Sequence, residues 1–196
     1  MGNGQKSMFH QGHRELQDRF DGRRLADALE SHFRYTAFEP DHIALIEGAA
    51  FFFLATAHAE SVDCSYKGGP PGFVRVTSPT TLEWPDYDGN SMYRSLGNIL
   101  RSPRAGLLFI RFGETPTRLR VNGACELIET VGSNLTVRLY ADEIFPNCPR
   151  YIPDIANDVP SPYTPQGNEV GPKPAWKNMP GLAENLPEDD PHSRER

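Results

Sequence analysis

The residues with the most informative chemistry form two clusters between positions 51 and 103. The first cluster, at 65–72 (SYKGGPPG), places a hydroxyl group, an ammonium group and three glycines at the end of a predicted strand. Glycines let backbone N–H groups approach a ligand closely, and Lys67 adds a positive charge suited to a phosphate. The alternative for this segment is a solvent-exposed turn that carries a surface lysine.

The second cluster starts with the loop at 84–90 (WPDYDGN) and continues into a predicted helix that carries Arg94 and Ser95. Arginine binds phosphate oxygens through charge-assisted hydrogen bonds, serine donates from its hydroxyl group, and the start of a helix attracts negative charge. The two clusters together predict a pocket for a flat, phosphorylated ligand. The alternative is that Arg94 forms a surface ion pair with Asp86 or Asp88.

Further polar residues extend this candidate site. Asn98 lies four residues after Arg94 and therefore shares a helix face with it. In the predicted strand at 117–128, the side chains of Arg118 and Arg120 point to the same face. Two arginines on one strand face require acidic partners, solvent, a protein interface or an anionic ligand.

The segment at 147–151 (NCPRY) follows the last predicted strand and contains the thiol of Cys148 between Asn147 and Arg150. A cysteine nucleophile needs a base or a cation that lowers its pKa, and no histidine is close to Cys148 in the sequence. We therefore expect packing or ligand contact for Cys148, with nucleophilic catalysis as the alternative.

A mainly β fold must position these residues. Alternation with period two, together with β-branched and aromatic residues, predicts strands near 50–57, 62–66, 73–77, 80–84, 105–112, 117–128 and 134–145. Helical spacing predicts two short helices within 13–36, interrupted at Asp21 and Gly22, a helix from Pro40 and a helix over 91–101. Antiparallel strands joined by short turns favour a closed or nearly closed β-barrel with peripheral helices.

Three regions are predicted along the chain: an N-terminal helical arm at 1–39, a barrel domain at 40–152 and a proline-rich tail at 153–196. The composition of the tail cannot form a core alone. Tyr163, Trp176, Met179 and Leu182 are spaced as anchors, so we expect part of the tail to lie along the barrel or a neighbouring subunit. Beyond Pro187 we expect disorder.

Composition excludes several classes of function. A chain of 196 residues that is 38% hydrophobic and 23% charged has room for one core. A net charge of -6 argues against a nucleic-acid partner, because binding nucleic acid depends on a broad basic surface. The longest apolar run is too short to span a bilayer, so we expect no membrane partner and a cytoplasmic location. The three cysteines are too few and too scattered for a disulfide framework or a metal site.

Five segments occur in an order that resembles the pyridoxamine 5'-phosphate oxidase-like family of FMN-binding split β-barrels. They read FFFLATA, DCSYKGGPPGFVRV, EWPDYDGNSMYRSLGNILRSPRAGLLFI, RLRVNG and FPNCPRYI. The likeness covers about residues 40–152, with a looser likeness in the PAWK and LPEDDP parts of the tail. It implies an antiparallel split β-barrel and a homodimer that holds FMN at the subunit interface through contacts from both chains. The implied function is hydride or electron transfer through the bound flavin to a small-molecule substrate or acceptor.

The resemblance also implies roles for individual residues. Arg94 and Ser95 match the phosphate-binding pair, and Lys67 lies close to the loop that supplies a basic contact to the phosphate or the ring. Trp84 and Pro85 fall where the family lines the isoalloxazine ring, largely through the backbone. Arg118 matches a polar ligand on the following strand, and Asn147 with Arg150 occupies the terminal motif of the subgroup. The complete predicted set of cofactor contacts is Ser65, Lys67, Trp84, Pro85, Tyr87, Asn90, Arg94, Ser95, Asn98, Arg118, Arg120, Asn147 and Arg150.

The chain departs from the oxidase proper in three places. Its tail does not resemble the Trp- and Arg-containing segment that holds pyridoxamine phosphate, so the resemblance does not extend to that reaction. Ser95 stands where the oxidase has a second basic residue, and between Glu129 and Asn134 the chain has only a tight turn, where members of the subgroup often carry a longer insert. The alternatives are a flavin-binding or sensing protein without turnover, a family member that uses deazaflavin or haem, and a structural barrel module.

Overall fold

The computed structural model describes residues 7–87, 91–130, 134–157, 162, 171–188 and 190–192. These residues fall into two compact units, one formed by Tyr35–Pro149 and one formed by the segments Met1–Arg34 and Arg150–Arg196. None of the helices in the described part of the chain is long and apolar enough to cross a bilayer.

The helices and strands follow the sequence pattern closely. The helices are α1 (Gln11–Arg19), α2 (Arg23–Phe33), α3 (Pro40–Gly48) and α4 (Arg94–Arg101), with short 3-10 turns at Ile155–Asn157, Ala175–Asn178 and Ala183–Asn185. The strands are β1 (Phe51–His58), β2 (Ser61–Gly68), β3 (Arg75–Ser78), β4 (Thr81–Asp86), β5 (Arg104–Arg111), β6 (Thr117–Thr130) and β7 (Asn134–Pro146). The predicted break between the first two helices is confirmed at Asp21, which has a φ of 50°. Helix α4 begins later than the predicted position 91, because Tyr93 before it is left-handed with a φ of 47°.

The strands of the Tyr35–Pro149 unit form one antiparallel sheet of seven strands in the order β2-β1-β5-β6-β7-β4-β3. This arrangement confirms the predicted split β-barrel class. The sheet stays open between its two edge strands, β2 and β3, so full closure does not occur among the described strands. In a closed barrel the backbones of the two edge strands would pair with each other. Because β2 and β3 do not pair, the gap between them leaves space for a site.

One face of the sheet carries the core. On β1 the buried side chains are Phe52, Leu54 and Thr56, with exposed fractions of 0%, 0% and 4%. Their antiparallel partners on β2 are Lys67, Ser65 and Asp63, respectively. Because directly paired residues point to the same face, β2 places three polar side chains beside the core at the edge of the sheet.

The pairing of β6 with β7 shifts register between Asn122 and Gly123, because β7 has one extra residue between their partners Glu143 and Ala141. Gly123 is required there, since a Cβ atom at this position would lie 2.1 Å from the carbonyl oxygen of Tyr140. A register shift in a long strand increases local twist. Strand β6 pairs with β5 on one side and with β7 on the other.

The second unit contains α1, α2 and the described parts of the tail. Lys177 and His192 are buried there, at 5% and 7% exposure. The ammonium group of Lys177 donates to Asp190 at 2.7 Å, and the His192 ring lies 3.0 Å from the carbonyl oxygen of Gly171. The expectation of disorder beyond Pro187 is therefore wrong for residues 190–192. Of the predicted anchors, Leu182 is fully buried and Met179 is 38% exposed, while Tyr163 lies outside the described residues.

Candidate functional site

A cleft of about 540 Å³ lies between β2, the end of β4 and the start of α4. Its volume is within the range of small-molecule sites. Its lining combines polar side chains from β2 and α4 with aromatic and apolar side chains. The described lining residues are Asp63, Ser65, Tyr66, Lys67, Gly68, Phe73, Pro85, Asp86, Tyr87, Ser91, Met92, Tyr93, Arg94, Ser95, Leu96 and Leu135.

Packing against the core fixes the start of α4. Ser95, Leu96 and Ile99 are buried on this helix, and the Asn98 side-chain amide donates to the Thr56 hydroxyl at 3.2 Å. The neighbouring side chain, Arg94, points outward and is 54% exposed. Helix α4 therefore holds Ser95 rigidly against β2 while Arg94 keeps access to solvent and to a ligand.

Asp63 binds both members of the predicted phosphate-binding pair. The Ser95 hydroxyl donates to Asp63 Oδ2 at 2.6 Å, and the Arg94 Nε–H group donates to Asp63 Oδ1 at 3.3 Å. The Asp63 side chain is 14% exposed. The hydrogen bond from Ser95, followed by that from Arg94, lowers the pKa of Asp63 against the opposing effect of burial. Asp63 is thus a carboxylate held in its ionised form at this site.

A second hydroxyl extends this network. Ser65 Oγ lies 2.9 Å from Ser95 Oγ. A serine hydroxyl carries only one hydrogen, and that of Ser95 is donated to Asp63, so Ser65 must be the donor to Ser95. The hydrogen bonds therefore run in one direction, from Ser65 to Ser95 to Asp63.

Asp86 and Lys67 add two charges to the cleft. Partial burial raises the pKa of Asp86, and the positive charge of Lys67 opposes that shift. With Asp63 and Arg94, the described lining residues therefore include two carboxyl groups and two cations. Asp86 can hold a proton more readily than an exposed aspartate.

The structure brings six of the predicted cofactor residues to this cleft, namely Ser65, Lys67, Pro85, Tyr87, Arg94 and Ser95. Two more lie beneath it: the Trp84 side chain is in the core at 2% exposure, and Asn98 is buried at 7%. Position 90 lies outside the described residues, as does position 88. The alternative that Arg94 pairs with an acidic side chain is realised with Asp63, on β2, instead of Asp86.

The remaining predicted residues do not line the cleft. Arg118 and Asn147 lie together near the ends of β6 and β7, where the Asn147 N–H group contacts the Arg118 carbonyl oxygen at 3.4 Å. Arg118 Nε and Asn147 Oδ1 are buried and have no hydrogen-bond partner among the described residues. The guanidinium group of Arg120 lies 5.7 Å from the centre of the Phe145 ring. Arg150 belongs to the other compact unit, where its guanidinium group lies 5.5 Å from the Tyr151 ring centre.

Sequence reasoning missed several residues of the cleft, above all Asp63 and Asp86. A signal for Asp63 was present, because it shares one strand face with Ser65 and Lys67 at a spacing of two residues. Asp86 lies in the loop at 84–90 that the sequence marked, but it was named there only as a surface partner of Arg94, whereas the structure places it in the lining of the cleft at the end of β4.

Comparison with known proteins agrees with the sequence motifs. The family model described as pyridoxamine 5'-phosphate oxidase matches residues 38–173, which confirms the resemblance predicted from the five segments. None of the curated proteins compared with the chain matches it.

Solved structures of similar proteins include a candidate pyridoxamine 5'-phosphate oxidase from Lactobacillus delbrueckii. It is 20% identical, with 58% of this chain and 98% of that chain covered and a TM-score of 0.44. HupZ from Group A Streptococcus is 15% identical, with coverage of 56% and 93% and a TM-score of 0.43. An FAD-binding protein from Mesorhizobium loti is 10% identical, with coverage of 52% and 86% and a TM-score of 0.41. At these TM-scores the family assignment rests on the family model alone.

Proposed function

Because the chain belongs to the pyridoxamine 5'-phosphate oxidase family, we propose that it is an FMN-binding oxidoreductase that acts on a small-molecule substrate or acceptor. The observation that carries the proposal is the cleft between β2, β4 and α4. Within it, a guanidinium group, an ammonium group and the hydroxyl groups of Ser65 and Ser95 occur together with aromatic rings. This combination suits a ligand with a phosphate at one end and a flat ring at the other.

The residues of the cleft fit the two ends of FMN. Arg94 has five N–H donors, and only two of them have partners among the described residues, Asp63 and the Val62 carbonyl oxygen. Its remaining donors are available to phosphate oxygens. Among the aromatic residues of the lining, the rings of Phe73 and Tyr87 lie 6.3 Å apart and are inclined by 26°. Such surfaces pack well against a planar ring system.

Bound FMN would supply the two-electron chemistry, since hydride and electron transfer belong to the cofactor. The chain's own contribution is position and charge. Lys67 places a cation in the cleft, which stabilises negative charge on a bound ring. Asp86, whose pKa is raised by burial, can hold or accept a proton at its carboxyl group. No side chain needs to act as a nucleophile.

A homodimer is part of the proposal, with the second subunit completing each site. Two observations support it. The buried atoms Arg118 Nε and Asn147 Oδ1 have no partner among the described residues, as expected of groups that await a ligand. The edge strand β2 also exposes Val62 and Tyr66, at 71% and 63%. Sedimentation equilibrium should give twice the chain mass of 21.9 kDa, and a monomeric holoprotein would contradict this part of the proposal.

Substitution of Arg94 tests the function directly. A charge-assisted hydrogen bond contributes about 1.5 to 3 kcal/mol, so Arg94→Ala should weaken FMN binding roughly 10- to 150-fold while riboflavin binding changes little. Fluorescence titration measures both affinities. Arg104→Ala is the matched control, because Arg104 is an exposed arginine of β5 that pairs with Asp142. Equal FMN affinity in the wild type and Arg94→Ala would refute the assignment.

The absorption spectrum of the purified protein distinguishes the other ligands. Flavin bands support FMN, a Soret band indicates haem, and the shorter-wavelength band of a deazaflavin identifies that cofactor. Reduction of the bound flavin by a reduced nicotinamide, followed by reoxidation in air, distinguishes an enzyme from a flavin-binding or sensing protein. Failure of every common donor to reduce the flavin would favour the non-catalytic alternative.

A further inference from the structure

We propose that Asp63 is an internal anion that competes with the ligand's phosphate for Arg94 and Ser95, and so sets the affinity of the cleft for phosphorylated ligands. This inference rests on the proposed function, since it concerns the same cleft. Its structural basis is the position of the Asp63 carboxylate, which accepts hydrogen bonds from both residues.

The hydroxyl hydrogens of Ser65 and Ser95 are not available to a phosphate while Asp63 holds this position, although Arg94 keeps N–H donors beyond those it gives to Asp63 and Val62. Ser95 has a single hydrogen, and it is donated to Asp63 Oδ2 at 2.6 Å. Ser65 has a single hydrogen, and it is donated to Ser95. A phosphate can accept hydrogen bonds from these two hydroxyl groups only after they turn away from their present acceptors. A phosphate that is bound by Ser95 as well as by Arg94 therefore requires that the Asp63 carboxylate release Ser95.

Charge leads to the same conclusion. The carboxylates of Asp63 and Asp86 balance the cations of Arg94 and Lys67 among the described lining residues. A phosphate dianion placed near Arg94 would lie close to the Asp63 carboxylate, and like charges at such distances repel strongly. The repulsion falls when the Asp63 side chain rotates away.

Backbone pairing determines how Asp63 can move. Asp63 pairs with Thr56 of β1 inside a ladder that runs from Phe51 with Gly68 to His58 with Ser61. Pairing with β1 thus holds the backbone before and after Asp63, while the carboxylate of the mostly buried side chain is held by its hydrogen bonds to Arg94 and Ser95. Release requires a rotamer change and no change in the sheet.

The substitution Asp63→Asn tests the proposal. Asparagine has the same shape, and its amide oxygen can still accept from Ser95, but it carries no charge. We expect FMN to bind about tenfold more tightly to the variant, while riboflavin, which lacks the phosphate, binds unchanged. Asp63→Ala should change FMN affinity in the same direction, so the test does not depend on the folding of one variant. Asp142→Asn, which removes a carboxylate from the exposed Arg104 pair, should leave FMN affinity unchanged.

Inorganic phosphate separates this inference from the proposed function. Calorimetric titration should show tighter phosphate binding by both Asp63 variants than by the wild type, whether or not FMN is the ligand. Tighter phosphate binding without any FMN binding would support the role of Asp63 and refute the flavin assignment. If FMN binds the wild type but binds the Asp63 variants equally or more weakly, Asp63 is a positioning residue and the competition is refuted.

Discussion

Ser95→Ala removes the strongest hydrogen bond to Asp63. Ser95 is 5% exposed, and its hydroxyl group donates to Asp63 Oδ2 at 2.6 Å. The variant leaves Asp63 with the longer contact from Arg94, at 3.3 Å. A hydrogen bond to a charged group stabilises the folded protein by about 1.5 to 3 kcal/mol. Alanine has a higher helix propensity than serine, which offsets about 0.5 kcal/mol of that loss. We therefore expect Ser95→Ala to lower the free energy of unfolding by about 1 to 2.5 kcal/mol at neutral pH.

The free energy of unfolding lost in Ser95→Ala depends on pH, and the lowered pKa of Asp63 determines the direction of that dependence. The hydrogen bond from Ser95 is the main cause of the lowered pKa of Asp63. A carboxyl group whose pKa is lower in the folded state stabilises the protein above its unfolded pKa of 3.8, and this contribution disappears as the pH falls through the folded pKa. The wild type and Ser95→Ala should therefore differ fully at about pH 7, and the difference should shrink as the pH falls below 3.8 and through the lowered folded pKa of Asp63.

Urea unfolding followed by circular dichroism measures the difference at each pH. Ser65→Ala is the matched control, because Ser65 donates to Ser95 and has no hydrogen bond to Asp63 among the described contacts. Its cost should be about 1 kcal/mol, as for a neutral hydrogen bond, and nearly independent of pH. The reasoning is refuted if Ser95→Ala costs less than about 0.5 kcal/mol at neutral pH, or if its cost is the same in acid.

Two further predictions concern the sheet and its cysteines. Gly123→Ala should lower the free energy of unfolding by about 3 kcal/mol or more. The added Cβ atom would lie 2.1 Å from the Tyr140 carbonyl oxygen and 2.9 Å from the Leu139 side chain. A urea midpoint equal to that of the wild type would contradict the register shift. Burial raises the pKa of Cys125 to about 12, whereas Cys64 is exposed. Thiol labelling at about pH 8 should therefore modify Cys64 faster than Cys125 by a factor on the order of a thousand. Equal labelling rates would show that β6 opens readily.

The local elements were predictable because their signals are local. Alternation along β1 and β6 marks buried faces, and Pro40 marks the start of α3 at the position where the helix begins. The ends of elements were less accurate. Helix α4 starts at Arg94 because Tyr93 is left-handed, a backbone state that the tyrosine gave no reason to expect.

The C-terminal tail is a second region in which the structure differs from the sequence-based expectation. Its proline content indicated disorder beyond Pro187, yet His192 is buried and Lys177 forms an ion pair with Asp190. A buried pair of this kind depends on residues 13 positions apart in the chain. Composition averages over a segment and cannot detect it.

The amino-acid sequence by itself determined the strands, the helices, the family and the cations of the site, because spacing and residue type are properties of neighbouring positions. Only the tertiary structure placed Asp63 on Arg94 and Ser95, which follow it by 31 and 32 positions in the chain. That contact depends on the pairing of β2 with β1 and on the packing of α4 against the same face. A carboxylate thus lies where the sequence indicated only a site for phosphate, since the register of a sheet decides which distant side chains meet.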